Sequence, residues 1–234
     1  GILYLDYKDK YIFDGMVRYD GSSLFGADAR WNPYFRVSGA YRLTEDLKIP
    51  GIQEFKLRAA YGTAGQRPSF ADQYEVMYIS GGVATKAQLG NKLLKPSLSK
   101  ELEFGLNIDF LNRFSFELVH SITNTSDQIL SVPLAVQFGG WPSQVRNAGS
   151  LNSKVWEASL NAAVVRSNDF TYNVGFIFDN IKTTITELSV PAFQTGPQGQ
   201  EANKCFYIRE GETFGAMYGY AFVKTLDEMA EQLA

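Results

Sequence analysis

The sequence predicts an all-β fold, an antiparallel transmembrane β-barrel to which this chain contributes roughly ten strands. Three observations support this fold. Apolar and polar residues alternate along many segments, the connections alternate between short and long, and several segments exceed the roughly 5–6 residues usual for soluble strands. A strand that crosses a bilayer needs about 9–11 residues. A soluble β-sandwich would alternate its faces in the same way, so the pattern by itself leaves both folds open.

The alternation is clearest in residues 103–118. The apolar positions are Phe104, Leu106, Ile108, Phe110, Phe114, Phe116 and Leu118. Because successive side chains of a strand point to opposite faces, we expect this apolar set to face lipid. The polar side chains expected to face the barrel interior are Glu103, Asn107, Asp109 and Glu117. The two residues between the apolar runs, Asn112 and Arg113, predict a tight hairpin.

Similar alternation predicts the remaining strands. It is strong in residues 55–61, 156–164 and 172–178, and weaker in residues 3–7, 11–19, 31–43, 206–209 and 214–223. No convincing helix interrupts this array; residues 44–53 allow a helical turn that Pro50 and Gly51 end, and residues 225–234 permit a helix. No apolar run approaches the roughly 18 residues that a membrane helix requires.

The connections differ in length in a regular order. Residues 8–10, 111–113 and 167–169 are short connections, and residues 44–54 are an intermediate one. Residues 20–30, 66–100, 135–153 and 189–204 are long connections. Outer-membrane barrels have short periplasmic turns and long extracellular loops. We therefore expect the long connections to share one end of the sheet. Tyr19 and Trp31, at the base of the polar loop 20–30, should stand in an interfacial aromatic girdle.

The composition excludes several classes of function. The net charge of −3 gives no basic face for nucleic acid, and the single cysteine excludes an internal disulfide and any site with several cysteine ligands. No catalytic residues, metal site or cofactor are predicted. Glu210 and Glu212 are spaced to share one strand face and repel rather than to act as an acid–base pair. His120, at the end of an apolar run, should mark where a strand leaves the hydrocarbon band.

Aromatic residues in two of the long connections are candidate ligand contacts, since sugar rings stack on exposed aromatic faces. They are Phe70, Tyr74, Tyr78, Phe138 and Trp141. Packing of each loop on itself is the alternative. Three hypotheses follow for the whole chain: part of an active transporter, a soluble glycan-binding β-sandwich, and a β-rich hydrolase. The last needs a convergent acid–base pair, and the sequence offers none.

Six segments together match the motifs of one family. They are YKDKYIFDGMVRYDGSSLFG (7–26), RWNPYFRVSGAYRLTE (30–45), FKLRAAYGTAGQ (55–66), LKPSLSKELEFGLNIDFLNRFSFEL (94–118), NAGSLNSKVWEASL (147–160) and EGETFGAMYGY (210–220). In this order they resemble the SusC/RagA family of TonB-dependent outer-membrane transporters. Ser97, Val155 and Thr213 depart from the residues usual in these motifs, which are Glu, Gly and Pro.

The resemblance implies an outer-membrane protein that imports oligosaccharides or peptides. It also implies a SusD-like surface lipoprotein, the TonB complex and outer-membrane lipid as partners, with no cofactor and no nucleic acid. Nothing in the chain resembles the plug domain of the family, through which TonB is contacted. Because large plugged barrels have about 22 strands, we expect residues 1–234 to be one part of the barrel domain, a fragment without its plug.

Overall fold

The computed structural model describes residues 1–23, 30–135, 137, 139–196 and 204–219. Eight strands form one sheet, which we call the wall. They are β1 (Ile2–Tyr7), β2 (Tyr11–Gly21), β3 (Trp31–Arg42), β4 (Ile52–Gln66), β7 (Ser97–Phe110), β8 (Phe114–Pro133), β9 (Ser143–Arg166) and β10 (Thr171–Leu188). Two small sheets pair β5 (Val76–Ser80) with β6 (Val83–Gln88) and β11 (Phe193–Thr195) with β12 (Phe206–Ile208). Short 3-10 helices span Leu43–Glu45 and Phe70–Gln73.

The wall is a meander in which each strand pairs antiparallel with the next wall strand along the chain. Two predicted strands do not join it. Of residues 206–209, Phe206–Ile208 form β12, which pairs with β11. The described part of residues 214–223 makes only an isolated bridge, at Met217. Residues 220–223 lie outside the described residues. Among the residues that the structure describes, no helix is long and apolar enough to cross a bilayer.

The two ends of the wall differ as the loop lengths predict. β7 and β8 meet through Leu111 and Asn112, whose φ angles of 54° and 53° turn the chain tightly between the paired Phe110 and Phe114. At the opposite end, residues 67–96 join β4 to β7. We call these the short-turn end and the long-loop end. The expected separation of the long loops from the tight hairpins is confirmed.

The long connections are shorter than the sequence predicts, because the strands that flank them are longer. β8 continues to Pro133 and β9 begins at Ser143, so much of the predicted loop 135–153 is paired strand. In this part of the hairpin both faces mix apolar and polar side chains, and the register shifts at a bulge near Asp127, whose φ is 54°. A bulge breaks the period of two, and with it the pattern on which the sequence prediction rests.

The predicted division into two faces is present in the wall. Leu106 lies directly opposite Leu118, and Asn107 lies opposite Glu117. Residues directly opposite one another on antiparallel strands share a face. The face that carries Leu106 and Leu118 is the apolar face, and the face that carries Asn107 and Glu117 is the polar face. Phe176, on the apolar face of β10, is 65% exposed.

Candidate functional site

Two of the predicted ligand contacts come together at the long-loop end. The rings of Phe70 and Tyr74 lie 5.2 Å apart at an angle of 45°. They are brought together by the short helix Phe70–Gln73, which begins with a capping box in which Ser69 and Asp72 exchange side chain–backbone hydrogen bonds. Both rings remain largely exposed. They form an aromatic pair open to solvent.

The other predicted contacts lie apart from this pair. Tyr78 is on β5 and is 70% exposed, opposite Thr85 of β6. The ammonium of Lys86 lies 5.3 Å from the ring centre of Trp141 and donates to the backbone oxygen of Gly139 at 2.5 Å. This cation–π contact ties β6 to the β8–β9 loop. Phe138 lies outside the described residues.

The loop that carries the aromatic pair is fixed to the edge of β9. Leu89 N donates to Ser143 O at 2.9 Å, and the Asn91 side chain donates to Val145 O at 2.9 Å. Farther along, Lys95 N donates to the Asn147 side chain, which donates back to Lys95 O, both at 2.9 Å. Backbone hydrogen bonds of this kind hold a loop in one position, as a binding surface requires.

A glycine allows the same loop to close on itself. A Cβ atom at Gly90 would lie 2.7 Å from the backbone oxygen of Gln73 and 2.9 Å from the Cα atom of Tyr74. No larger residue fits this approach of two backbone segments. Gly90 therefore packs directly against the backbone next to the aromatic pair, in the segment where the same loop runs back past it.

The polar face of the wall contains a three-strand ion-pair cluster that the sequence analysis did not identify. Arg58 of β4 donates to Glu103 of β7 at 2.9 Å and to Glu117 of β8 at 2.6 Å. To reach β8 the Arg58 side chain crosses Gly105, where a Cβ atom would lie 2.3 Å from Nε. A glycine in the middle of a regular strand marks such close approach, so Gly105 was the available signal.

Further charges continue along the polar face. Arg36 donates to Asp14 at 3.0 Å through Nε, and Arg18 lies 2.6 Å from Asp20. The acidic residues of the paired wall positions on this face are Asp6, Asp14, Asp20, Glu54, Glu101, Glu103, Asp109, Glu117, Glu157 and Asp179. The basic ones are Arg18, Arg36, Arg42, Lys56, Arg58 and Arg166. This face therefore carries most of the charged side chains of the wall, with acidic ones in excess, and it also includes the apolar residues Val119, Ile177 and Ile181.

Glu210, Glu212 and His120, which the sequence analysis considered, all contact neighbouring residues in the structure. Arg209 forms an ion pair with Glu212, and this hydrogen bond holds the pKa of the Glu212 carboxyl below its usual range. Glu210 accepts from Leu188 N at 3.4 Å. The His120 ring stacks on Trp156 with centroids 4.0 Å apart, and its Nδ1 lies 2.8 Å from Val155 O. Among the described residues, none of these contacts pairs two groups as a catalytic general acid and general base.

The two aromatic residues at the base of loop 20–30 contact each other. Tyr19 and Trp31 stack with ring centres 5.5 Å apart, and both are more than 60% exposed on the apolar face. Gly21, opposite Trp31, leaves room for the indole, since a Cβ atom there would lie 2.6 Å from the ring. Residues 24–29 of the loop lie outside the described residues.

Comparison with known proteins agrees with this architecture. The family described as TonB dependent receptor-like, beta-barrel matches residues 3–203. TonB-dependent receptor P39 of Formosa agariphila is 30% identical over 92% of this chain and 21% of its own length. TonB-dependent receptor SusC of Bacteroides thetaiotaomicron is 26% identical over 77% of this chain and 20% of its own.

Solved structures share the fold. The RagAB peptide transporter superposes with a TM-score of 0.76 at 21% identity, over 90% of this chain and 24% of the neighbour. The chain therefore spans between a fifth and a quarter of the length of these relatives. The resemblance to the SusC/RagA family is confirmed. The chain belongs to the TonB-dependent receptor β-barrel family, whose members lie in the bacterial outer membrane.

Proposed function

We propose that this chain forms part of the wall and outer loops of a receptor that imports a nutrient, an oligosaccharide or a peptide, across the outer membrane. One observation carries the proposal. The wall has an apolar face for lipid and a charged face for a water-filled interior, and a fixed aromatic pair stands at the end where the long loops gather. In this proposal residues 1–234 belong to the barrel domain throughout.

The partners of the receptor follow from the same proposal. The long-loop end faces the outside, so a SusD-like surface lipoprotein would cover it and pass the ligand to the loops. Energy would come from the TonB complex through the plug domain of the full receptor. One neighbour in fold is named a peptide importer, which supports peptides as one ligand class. The aromatic pair Phe70–Tyr74 is equally suited to sugar rings.

A soluble glycan-binding β-sandwich is the weaker alternative. A sandwich packs two sheets face to face about a shared core. Here the eight wall strands lie in a single sheet, and most large side chains of its apolar face are exposed. This face needs a cover of the kind that lipid provides, and aqueous solvent does not provide it.

The test uses the full-length receptor in its host. Cells are supplied with labelled oligosaccharides and peptides, and uptake is measured for wild type and for the F70A/Y74A variant. The matched control is F170A/Y172A, which removes two exposed aromatic residues at the short-turn end. We expect F70A/Y74A to weaken ligand binding at least about fivefold, as loss of an interface hot spot does.

Two outcomes separate the parts of the proposal. Uptake that continues unchanged when the proton gradient is collapsed would contradict active import. Equal uptake by F70A/Y74A and F170A/Y172A would leave import standing and exclude the aromatic pair as the ligand contact.

A further inference from the structure

Two lysines face each other on the apolar side of the wall. Lys182 of β10 lies directly opposite Lys154 of β9, and both side chains are exposed. Side chains at such positions have Cβ atoms about 4.5–5.5 Å apart, and like charges placed there destabilise the strand pair. An arrangement of this kind is stabilised by an anion that both ammonium groups contact.

The apolar face supplies no carboxylate for these lysines. From the row of Phe110 and Phe114 up to the row of Lys100 and Asn124, the described positions on this face include no Asp or Glu. Within these rows, the acidic residues of the same strands point to the polar face. Farther along β10, Glu187 lies opposite Ser150, on the same face as the lysines, and accepts a hydrogen bond from Ser150 at 3.1 Å. Within the described part of the chain, Lys154 and Lys182 make no ion pair.

The lysines stand where the apolar band ends. In the row next to them, towards the short-turn end, His120 stacks on Trp156. In the row towards the long-loop end, Asn152 donates to Asn124 at 2.8 Å, and Lys100 is opposite Asn124. Aromatic rings mark the membrane–water interface of outer-membrane barrels. The lysine pair is thus at the depth of lipid headgroups, on the leaflet nearest the long loops.

We propose that Lys154 and Lys182 together bind the phosphate group of an outer-leaflet lipid, with Lys100 adding positive charge beside it. Two ammonium groups and an anionic oxygen form charge-assisted hydrogen bonds, which are stronger than neutral ones. The acyl chains of the same lipid would lie along the apolar face below, beside Phe178 and Leu118. Lysines that only extend towards water would bind no lipid in particular.

The proposal is independent of the transported ligand. It concerns the face turned away from the barrel interior, and it depends only on the place of the wall in the outer membrane. A variant of the lysine pair should therefore change lipid binding and leave the aromatic pair and the Arg58 cluster intact.

The experiment uses the full-length receptor purified in a neutral detergent. Native mass spectrometry measures binding of short-chain phosphatidic acid, and diacylglycerol with the same tails reports binding without phosphate. We expect K154Q/K182Q to bind phosphatidic acid about 30-fold more weakly than wild type, from the usual contribution of each lysine near an anionic surface. K154R/K182R keeps both charges and should retain binding.

The matched control is K92Q/K204Q, which removes two exposed lysines of the loops and should bind like wild type. Equal binding by K154Q/K182Q and this control would overturn the proposal, and it would indicate that another part of the receptor neutralises the lysines. Diacylglycerol binding as tight as that of phosphatidic acid would also overturn it. Displacement of the lipid by inorganic phosphate at equal concentration would show a free-anion site instead.

If K154Q/K182Q does not assemble, the single variant K182Q decides the outcome. It removes one member of a repelling pair and leaves the other charge in place. About fivefold weaker phosphatidic acid binding is expected for it, and binding equal to wild type would overturn the proposal.

Discussion

Buried side chains are distributed unevenly between the long-loop end and the rest of the wall. The buried residues at the long-loop end are Tyr34, Pro68, Leu94, Ser97, Val132, Val145, Ala148, Ile185, Gly196 and Ile208. Elsewhere only Thr44, Gly105 and Ala162 are buried among the described residues. On the wall, Phe176 and Phe178 are more than 60% exposed. One region carries its own core, and the other keeps its apolar side chains on the surface.

The difference shows that two kinds of solvent stabilise the two regions. A sheet with an exposed apolar face is stable when lipid covers that face and every strand has neighbours. The long loops lie in water, so they bury apolar groups against one another, and the backbone groups buried with them need hydrogen-bond partners. Residues 86–95 do so against β9. Substitutions should therefore act by different rules in the two regions.

The largest effect is expected in the core at the long-loop end. Leu94 is fully buried, and its neighbour Leu93 is 84% exposed. Leu94→Ala should lower the stability of this region by about 2–5 kcal/mol, because it leaves a cavity. Leu93→Ala should change the stability very little. Hydrogen exchange of the Leu89 and Asn91 amides, which are bonded to Ser143 and Asp72, measures opening of the loop in the full receptor. Equal exchange in the two variants would argue against a separate core.

The wall should respond to charge rather than to cavities. Leu106→Arg places a cation on the apolar face, at a cost of about 2–4 kcal/mol if the residue lies near the bilayer midplane. Asn107→Arg places the same cation on the polar face, where water solvates it. We expect Leu106→Arg to lower the amount of folded receptor in outer membranes far more than Asn107→Arg does. Similar losses would mean that the two faces are assigned wrongly.

The sequence could predict the wall because one physical requirement shapes it. Each strand separates two solvents, so apolar and polar side chains alternate without interruption in stretches such as residues 103–118. The tight turn at residues 111–113 and the order of loop lengths follow from the same meander. The cluster around Arg58 was not predictable in this way, since it depends on which strands become neighbours.

The hairpin of β5 and β6 was missed for a different reason. Its turn, Gly81-Gly82, has φ angles of 57° and 80°, the positive values that a two-residue hairpin turn requires. Its flanks, Val76–Ser80 and Val83–Gln88, pack against no second layer, so alternation is weak there. The glycine pair was the signal that identified this element.

A smaller effect should arise where a side chain crosses a strand. Gly105→Ala would place a Cβ atom 2.3 Å from Nε and 2.6 Å from Cγ of Arg58. Displacing Arg58 from Glu103 and Glu117 should lower the free energy of unfolding by about 1–3 kcal/mol, the usual range for overpacking. At Gly62, on the same polar face, an added Cβ atom would lie 3.5 Å from Arg36, which is an ordinary contact distance. Gly62→Ala should therefore lower the stability less than Gly105→Ala does. Thermal unfolding of the full receptor measures both.

A double variant tests the cause. If Arg58 is the obstacle, adding Arg58→Ala to Gly105→Ala should remove most of the penalty that the alanine imposes alone. Strictly additive losses would show that Gly105 is needed for its backbone and not for the passage of the Arg58 side chain.

The smallest effect is expected at the short-turn end, from an exposed ion pair. Lys10 donates to Asp46 at 2.6 Å, and Tyr41 donates to the same carboxylate at 2.6 Å. These hydrogen bonds, that from Lys10 first, hold the pKa of Asp46 below its usual value. A depressed carboxyl pKa stabilises the folded state above the unfolded pKa of about 3.9. That contribution disappears as pH falls through the lower folded pKa. Asp46→Asn should therefore lower the melting temperature slightly at pH 7, and the difference from wild type should vanish in strong acid. A difference that persists there would mean that the Asp46 side chain stabilises the turn through its shape rather than its charge.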